Sequence, residues 1–194
     1  TAVRGLYIGD DKDCFEQAAE LAKVVNFTRV DEPLTKVVVR LNPQKFHSTW
    51  IGNKAIYRTR MAIADGGHLI VLGKGVKTFG EDPKINVLIE KYGYRTTPEI
   101  LKAVDENEDL RGNLSAAAHL IHGTSEERFR ITWCPGQLSE ERVRAVGYDF
   151  ADYEAMNALY PEDRMREGWN EVNGERVYYI SNPALGLWAH ESRL

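Results

Sequence analysis

Sulfur is scarce in this sequence, long apolar runs are missing, and no excess of positive charge is present. The two cysteines, Cys14 and Cys134, are far apart and form no CxxC. That argues against a disulfide framework or a structural zinc site and fits a reducing compartment. No apolar stretch approaches the ~20 residues that a membrane-spanning helix needs, and the first residues show neither a basic lead nor an apolar signal core. A cytoplasmic location with no membrane partner is the expectation. The 25 Lys+Arg stand against 29 Asp+Glu, a net charge of −4, and the basic residues are spread along the chain. This argues against nucleic acid as the main partner, while charge this close to neutrality leaves a homodimer open. Internal repeats, low-complexity tracts and linkers are also lacking, so one α/β domain over 1–194 is expected. The chain starts at Thr1 without an initiator methionine, which leads us to expect that it was cut from a longer protein.

What is present is ordinary globular composition: 194 residues, 43% hydrophobic and 28% charged, enough for one full core. Residues 3–9 read as a short buried strand, and Asp10 to Asp13 supply caps for a helix through Phe15, Ala18, Ala19, Leu21 and Ala22. Val37, Val38 and Val39 mark 35–41 as a central strand, stopped by Asn42-Pro43. A helix is predicted from about Ser48 to Asp65, ended by Gly66-Gly67, followed by a strand over 68–72. Helical spacing recurs at 83–92, 98–107 and about 110–122. A strand follows at 128–134, with Phe129, Ile131 and Trp133 inward. Short helices are predicted from Ser139 toward Val146 and over 153–160, then a loop over 164–174 and a last strand over 177–180. The β-α-β alternation demands a Rossmann-like three-layer sandwich, a mainly parallel sheet with helices on both faces.

Ligands of parallel α/β sheets bind outside the carboxyl ends of the strands, so the loops after the strands hold the candidate sites. After 35–41 come Phe46, His47, Ser48 and Thr49, leading into a helix that carries Trp50, Asn53 and Lys54. Trp50, Lys54, Tyr57 and Met61 share one helical face, and Gly52, Ile56, Thr59 and Ile63 the face toward the sheet. A lysine, an amide and an aromatic near a helix start suit a carboxylate; solvated Lys54 and Arg58 beside a packing Trp50 explain the same pattern. Gly73 to Gly80 follows a strand, but its spacing fits neither GxGxxG nor GxxxxGK[ST], and a glycine turn accounts for it better than a nucleotide site. Cys134 reads as a buried structural thiol. His119 and His122, at i and i+3, suit either a metal pair or a helix C-terminus, and no carboxylate matches them.

Order and spacing over many residues resemble the C-terminal domain of the lactate racemase family: Gly9-Asp10, Ala19-Glu20-Leu21-Ala22, the Asp31-Glu32-Pro33 lead into Val37-Val38-Val39, Asn53-Lys54-Ala55 and Asp65-Gly66-Gly67. The remainder, including Asn113 to Gly123 and Ser181 to Gly186, looks like the branch described as sugar-acid or mannonate epimerases. The resemblance implies racemisation or epimerisation of 2-hydroxy acids by hydride transfer through a keto intermediate, with a nickel-pincer nucleotide as cofactor. It implies that a preceding N-terminal domain of the same protein holds that cofactor, the nickel histidine and the acid/base histidines. For 1–194 alone no cofactor and no metal ligand is therefore expected. It further implies a helix with an aromatic-Gln-x-x-Lys pattern that holds the substrate carboxylate. Here the pattern is Trp50-Ile51-Gly52-Asn53-Lys54, so Lys54 is the expected substrate anchor and Trp50 a wall. Ile51 replaces the glutamine, which points away from lactate toward another hydroxy acid or sugar acid. Asn53, Ser48, Thr49, His47 and Arg58 are placed to meet its extra hydroxyls. A non-catalytic ligand-binding or interaction domain of the same fold is the alternative; a nucleotide-dependent enzyme acting through Gly73 to Gly80 is a third.

Overall fold

The computed structural model describes residues 2–194. The expected first strand is not formed: residues 2–9 have no regular structure and are exposed. Both positions beside the central strand with the valine run, Leu34–Arg40, are taken by the strands Ile63–Gly73 and Glu175–Ile180. Asp11 caps helix α1 (Lys12–Asn26), accepting from the Cys14 amide at 2.7 Å. Strand β1 (Phe27–Val30) follows directly, then β2 (Leu34–Arg40), in which Val37, Val38 and Val39 are fully buried.

The long helix expected over 48–65 is a correction. The chain forms two short turns, α2 (Thr49–Gly52) and α3 (Lys54–Tyr57), and β3 (Ile63–Gly73) already begins before Asp65-Gly66-Gly67. Those glycines do not end a helix. They accompany an irregularity in the β2–β3 pairing between Leu34 and Lys36, and Gly66 takes φ 74°, as a bulge requires. The inward and outward faces survive this change: Gly52, Ile56, Thr59 and Ile63 are buried, whereas Trp50, Lys54, Tyr57 and Met61 are half-buried.

Helices α4 (Pro83–Tyr92) and α5 (Thr97–Glu106) follow, each with proline in its first turn. The apolar stretch 110–122 is split into α6 (Glu108–Arg111) and α7 (Leu114–His122), because Asn113 caps the second piece through the Ala116 amide. Then come β4 (Arg130–Pro135), α8 (Glu140–Ala145), β5 (Asp149–Phe150) and α9 (Tyr153–Leu159). The expected loop over 164–174 instead contains β6 (Gly168–Val172), an antiparallel partner of β7 (Glu175–Ile180). A final strand, β8 (Leu187–His190), runs parallel to β1.

The main sheet has the order β5-β4-β3-β2-β7-β6, parallel except for β6. Alternation along β2 assigns its two faces. Val37, Val39 and Leu41 join the core with Ile56, Leu88, Ile89, Leu120 and Trp133, while Val38 meets Ile70, Leu72, Tyr153, Tyr160 and Tyr179 on the α9 side. Helices thus cover both faces, and the sandwich is Rossmann-like. No described helix is long and apolar enough to cross a membrane.

Candidate functional site

The turn after β2 places the predicted residues in two environments. Ser48, Thr49 and Asn53 are buried. Ser48 accepts from the Ile51 amide and donates to the Glu81 carboxylate. Thr49 donates to the Phe79 carbonyl at 3.0 Å and lies 2.8 Å from the Tyr94 hydroxyl. Asn53 lies between His119 and Tyr148. In this structure all three therefore hold α2 and α3 against α7, the segments that flank α4 and the residue that precedes β5. His47 is exposed, and its carbonyl accepts from the Lys77 amide. Arg58 donates to the Gly186 carbonyl at 3.2 Å. Trp50 and Lys54 remain half-buried on the outer face. Lys54 makes no side-chain hydrogen bond or ion pair among the described residues.

Beside Trp50 runs an open groove of about 790 Å³ between the α3 segment, with Tyr57 and Met61, and α7, with Ala118, His119 and His122. Lys54 is not in its lining; it lies one helical turn beyond Trp50. His119, which the sequence offers as half of a metal pair or as a helix C-terminal residue, is the group that ties this groove to the core. Its ring lies 4.2 Å from the Trp50 ring, and its Nε2 lies 2.9 Å from the Tyr94 hydroxyl. Tyr94 in turn stacks on Tyr148 at 4.5 Å.

Proton counting decides the tautomer. Because Thr49 donates to Phe79, it accepts from Tyr94, and Tyr94 then accepts from Nε2–H of His119. Nδ1 is left with a lone pair. The side-chain amide of Asn53, 3.5 Å from Nε2 and 3.2 Å from the Tyr148 hydroxyl, completes the chain when its oxygen faces Nε2–H and its nitrogen donates to Tyr148, an exchange of two nearly isosteric groups. The Tyr148 proton then goes to the Gly123 carbonyl at 2.8 Å. Burial lowers the His119 pKa to about 3, with the neighbouring His122 charge adding to it, so the ring is neutral. Burial likewise raises the Tyr94 and Tyr148 phenols. Gly123 is required here: a Cβ would lie 2.3 Å from the Tyr94 ring and 2.6 Å from the Asn53 amide.

The other sequence candidates resolve separately. Cys134 is buried, and burial pushes its thiol up to about 12. The Gly73 to Gly80 loop is closed by packing, since a Cβ on Gly75 would meet the Pro43 carbonyl oxygen at 2.4 Å. His122 faces the Tyr57 ring at 6.1 Å, not His119 and a third ligand. Among the described residues no group of three or more His, Cys, Asp or Glu could hold a metal ion.

No family model and no curated protein matches the sequence. The structure is similar to a crystal structure of a protein from Thermotoga maritima, with a TM-score of 0.69 and 19% identity over 92% of this chain and 42% of that one. It is also similar to the lactate racemase apoprotein from Thermoanaerobacterium thermosaccharolyticum, with a TM-score of 0.61 and 10% identity over 91% of this chain and 40% of that one. The fold is thus distantly lactate-racemase-like. The chain spans about two-fifths of the length of each of these proteins.

Proposed function

We propose that this chain is the substrate-binding half of a cytoplasmic 2-hydroxyacid racemase or epimerase, acting on a sugar acid in preference to lactate. Lys54 is its carboxylate anchor. The observation that carries the reading is Lys54 itself, a half-buried residue with no carboxylate partner among the described residues, one turn from Trp50 in a lactate-racemase-like fold. An ammonium in that setting pairs a substrate carboxylate in a medium less polarisable than water, while Trp50 excludes solvent from one side. Asn53 serves indirectly, holding α3 at the angle that presents Lys54. The nickel-pincer nucleotide implied by the resemblance is assigned to the N-terminal domain of the parent protein, and no step is routed through it here.

The test is epimerisation of a panel of 2-hydroxy and sugar acids by the parent protein with its cofactor loaded. Lys54→Ala should lower kcat/KM at least tenfold, about 1.4 kcal/mol of transition-state stabilisation. Unchanged turnover would remove Lys54 from the site. One observation favours the alternative of a non-catalytic binding domain: Ile51, at the position of the family's glutamine, packs against the apolar core and offers no hydrogen bond. That reading predicts acid binding that depends on Lys54 with no turnover by the loaded parent.

A further inference from the structure

On the opposite face of the sheet, at the carboxyl ends of β2 and β7, the strand order turns back on itself, the position where open α/β sheets hold ligands. A cavity of about 560 Å³ lies there, lined by Asn42, Lys74, Asn157 and Asn182 among others. Arg40 forms part of its wall and is only 7% exposed. Its Nε donates to the Tyr179 hydroxyl at 3.0 Å, its Nη1 to the Asn157 amide oxygen at 2.9 Å and the Tyr153 hydroxyl at 3.2 Å, and its Nη2 to the Tyr160 carbonyl at 2.6 Å. Every one of these acceptors is neutral. The guanidinium has no carboxylate partner among the described residues, and a buried cation without a counter-charge is one that a bound anion would stabilise.

The asparagines around it are oriented as donors. The Asn42 oxygen accepts from the Gln44 amide at 2.9 Å, the Asn182 oxygen from the Ala184 amide at 3.0 Å, and the Asn157 oxygen from Arg40. With the oxygens engaged, the three NH2 groups carry no hydrogen bond among the described residues. Lys74 brings a second positive charge to the rim, but it is exposed and lies 3.9 Å from the Glu154 carboxylate. Glu162 and Asp163 also reach the rim, but they are exposed. Solvent and salt screen them far more than the buried Arg40.

We infer that this cavity is an oxyanion site, built to take the carboxylate or phosphate of a small hydroxylated ligand, with Arg40 supplying the charge and Asn42, Asn157 and Asn182 the hydrogen bonds. The rim carboxylates accept from the ligand's hydroxyls. The site is separate from Lys54 and does not depend on the racemase reading.

Titration of the 15N-labelled chain with gluconate, inorganic phosphate and uncharged xylitol tests it, followed by the Arg40 Nε–H signal and the Asn42, Lys74 and Ser181 amides. Saturable shifts with gluconate or phosphate and none with xylitol are expected, and whichever anion binds identifies the carboxylate or the phosphate as the preferred group. Lys74→Gln should weaken binding about threefold, the scale of one exposed ion pair. Asn42→Asp keeps the acceptor for Gln44 while replacing a donor with a negative charge, and should weaken it at least tenfold. Lys54→Ala should leave it unchanged. The inference is overturned if neither anion gives a saturable shift at millimolar concentration, if xylitol binds as well, if Asn42→Asp binds like the wild type, or if Lys54→Ala abolishes binding.

Discussion

At the scale of single residues, His119 carries a pH dependence that can be assigned. Its folded pKa of about 3 lies below the ordinary 6.5 because burial penalises the imidazolium. Between those values the unfolded chain binds a proton that the folded chain does not. Stability is therefore complete above pH 6.5 and falls as pH drops toward 3, by up to about 1.4 kcal/mol per pH unit. His68, lowered to about 4 chiefly by burial and then by Arg130 and Lys36, acts in the same direction. Urea unfolding at pH 7 and pH 5 should show a smaller pH-dependent loss for His119→Gln than for wild type, and an equal loss would assign the effect elsewhere. The sequence announced little of this. His119 is legible as a residue near a helix C-terminus, but its partners Tyr94 and Tyr148 come from distant segments, and only the fold brings their hydroxyls together. Arg40 did carry a signal, a charge directly after three valines in a central strand, where any buried cation needs an explanation.

Among the elements, those with strong local patterns are where the sequence places them. The valine run of β2, the proline-started α4 and α5, and the alternation of Phe129, Ile131 and Trp133 each satisfy a local rule that tertiary packing reinforces. The failures have separate causes. Residues 3–9 are apolar enough for a strand yet pair with nothing. Gly66-Gly67 reads as a helix stop and serves a bulge. The β6–β7 hairpin had an overt marker in Asn173-Gly174, with φ of 52° and 81°, the left-handed pair of a tight hairpin turn. Gly174→Ala should destabilise the chain by about 1 kcal/mol through the left-handed conformation alone, because a Cβ there meets nothing within 4 Å. A denaturant midpoint equal to wild type would show that the turn relaxes freely.

For the molecule as a whole, the sheet and its two cores account for the fold, and the leading segment stands apart. Residues 2–9 are exposed and α1 buries none of its side chains. Limited trypsin digestion should therefore cleave after Arg4 before any site in the sheet, with the thermal midpoint of the product unchanged; first cleavage within 34–73 would contradict that order. The pairing of β1 with β8 has a mechanical consequence. The two strands are parallel, aligned from Phe27 with Leu187 to Val30 with His190. A pull on the chain before β1 and after β8 acts on opposite ends of this pair. It slides one strand along the other and loads all their hydrogen bonds together, so the small sheet resists stretching as a clasp in shear and does not unzip bond by bond.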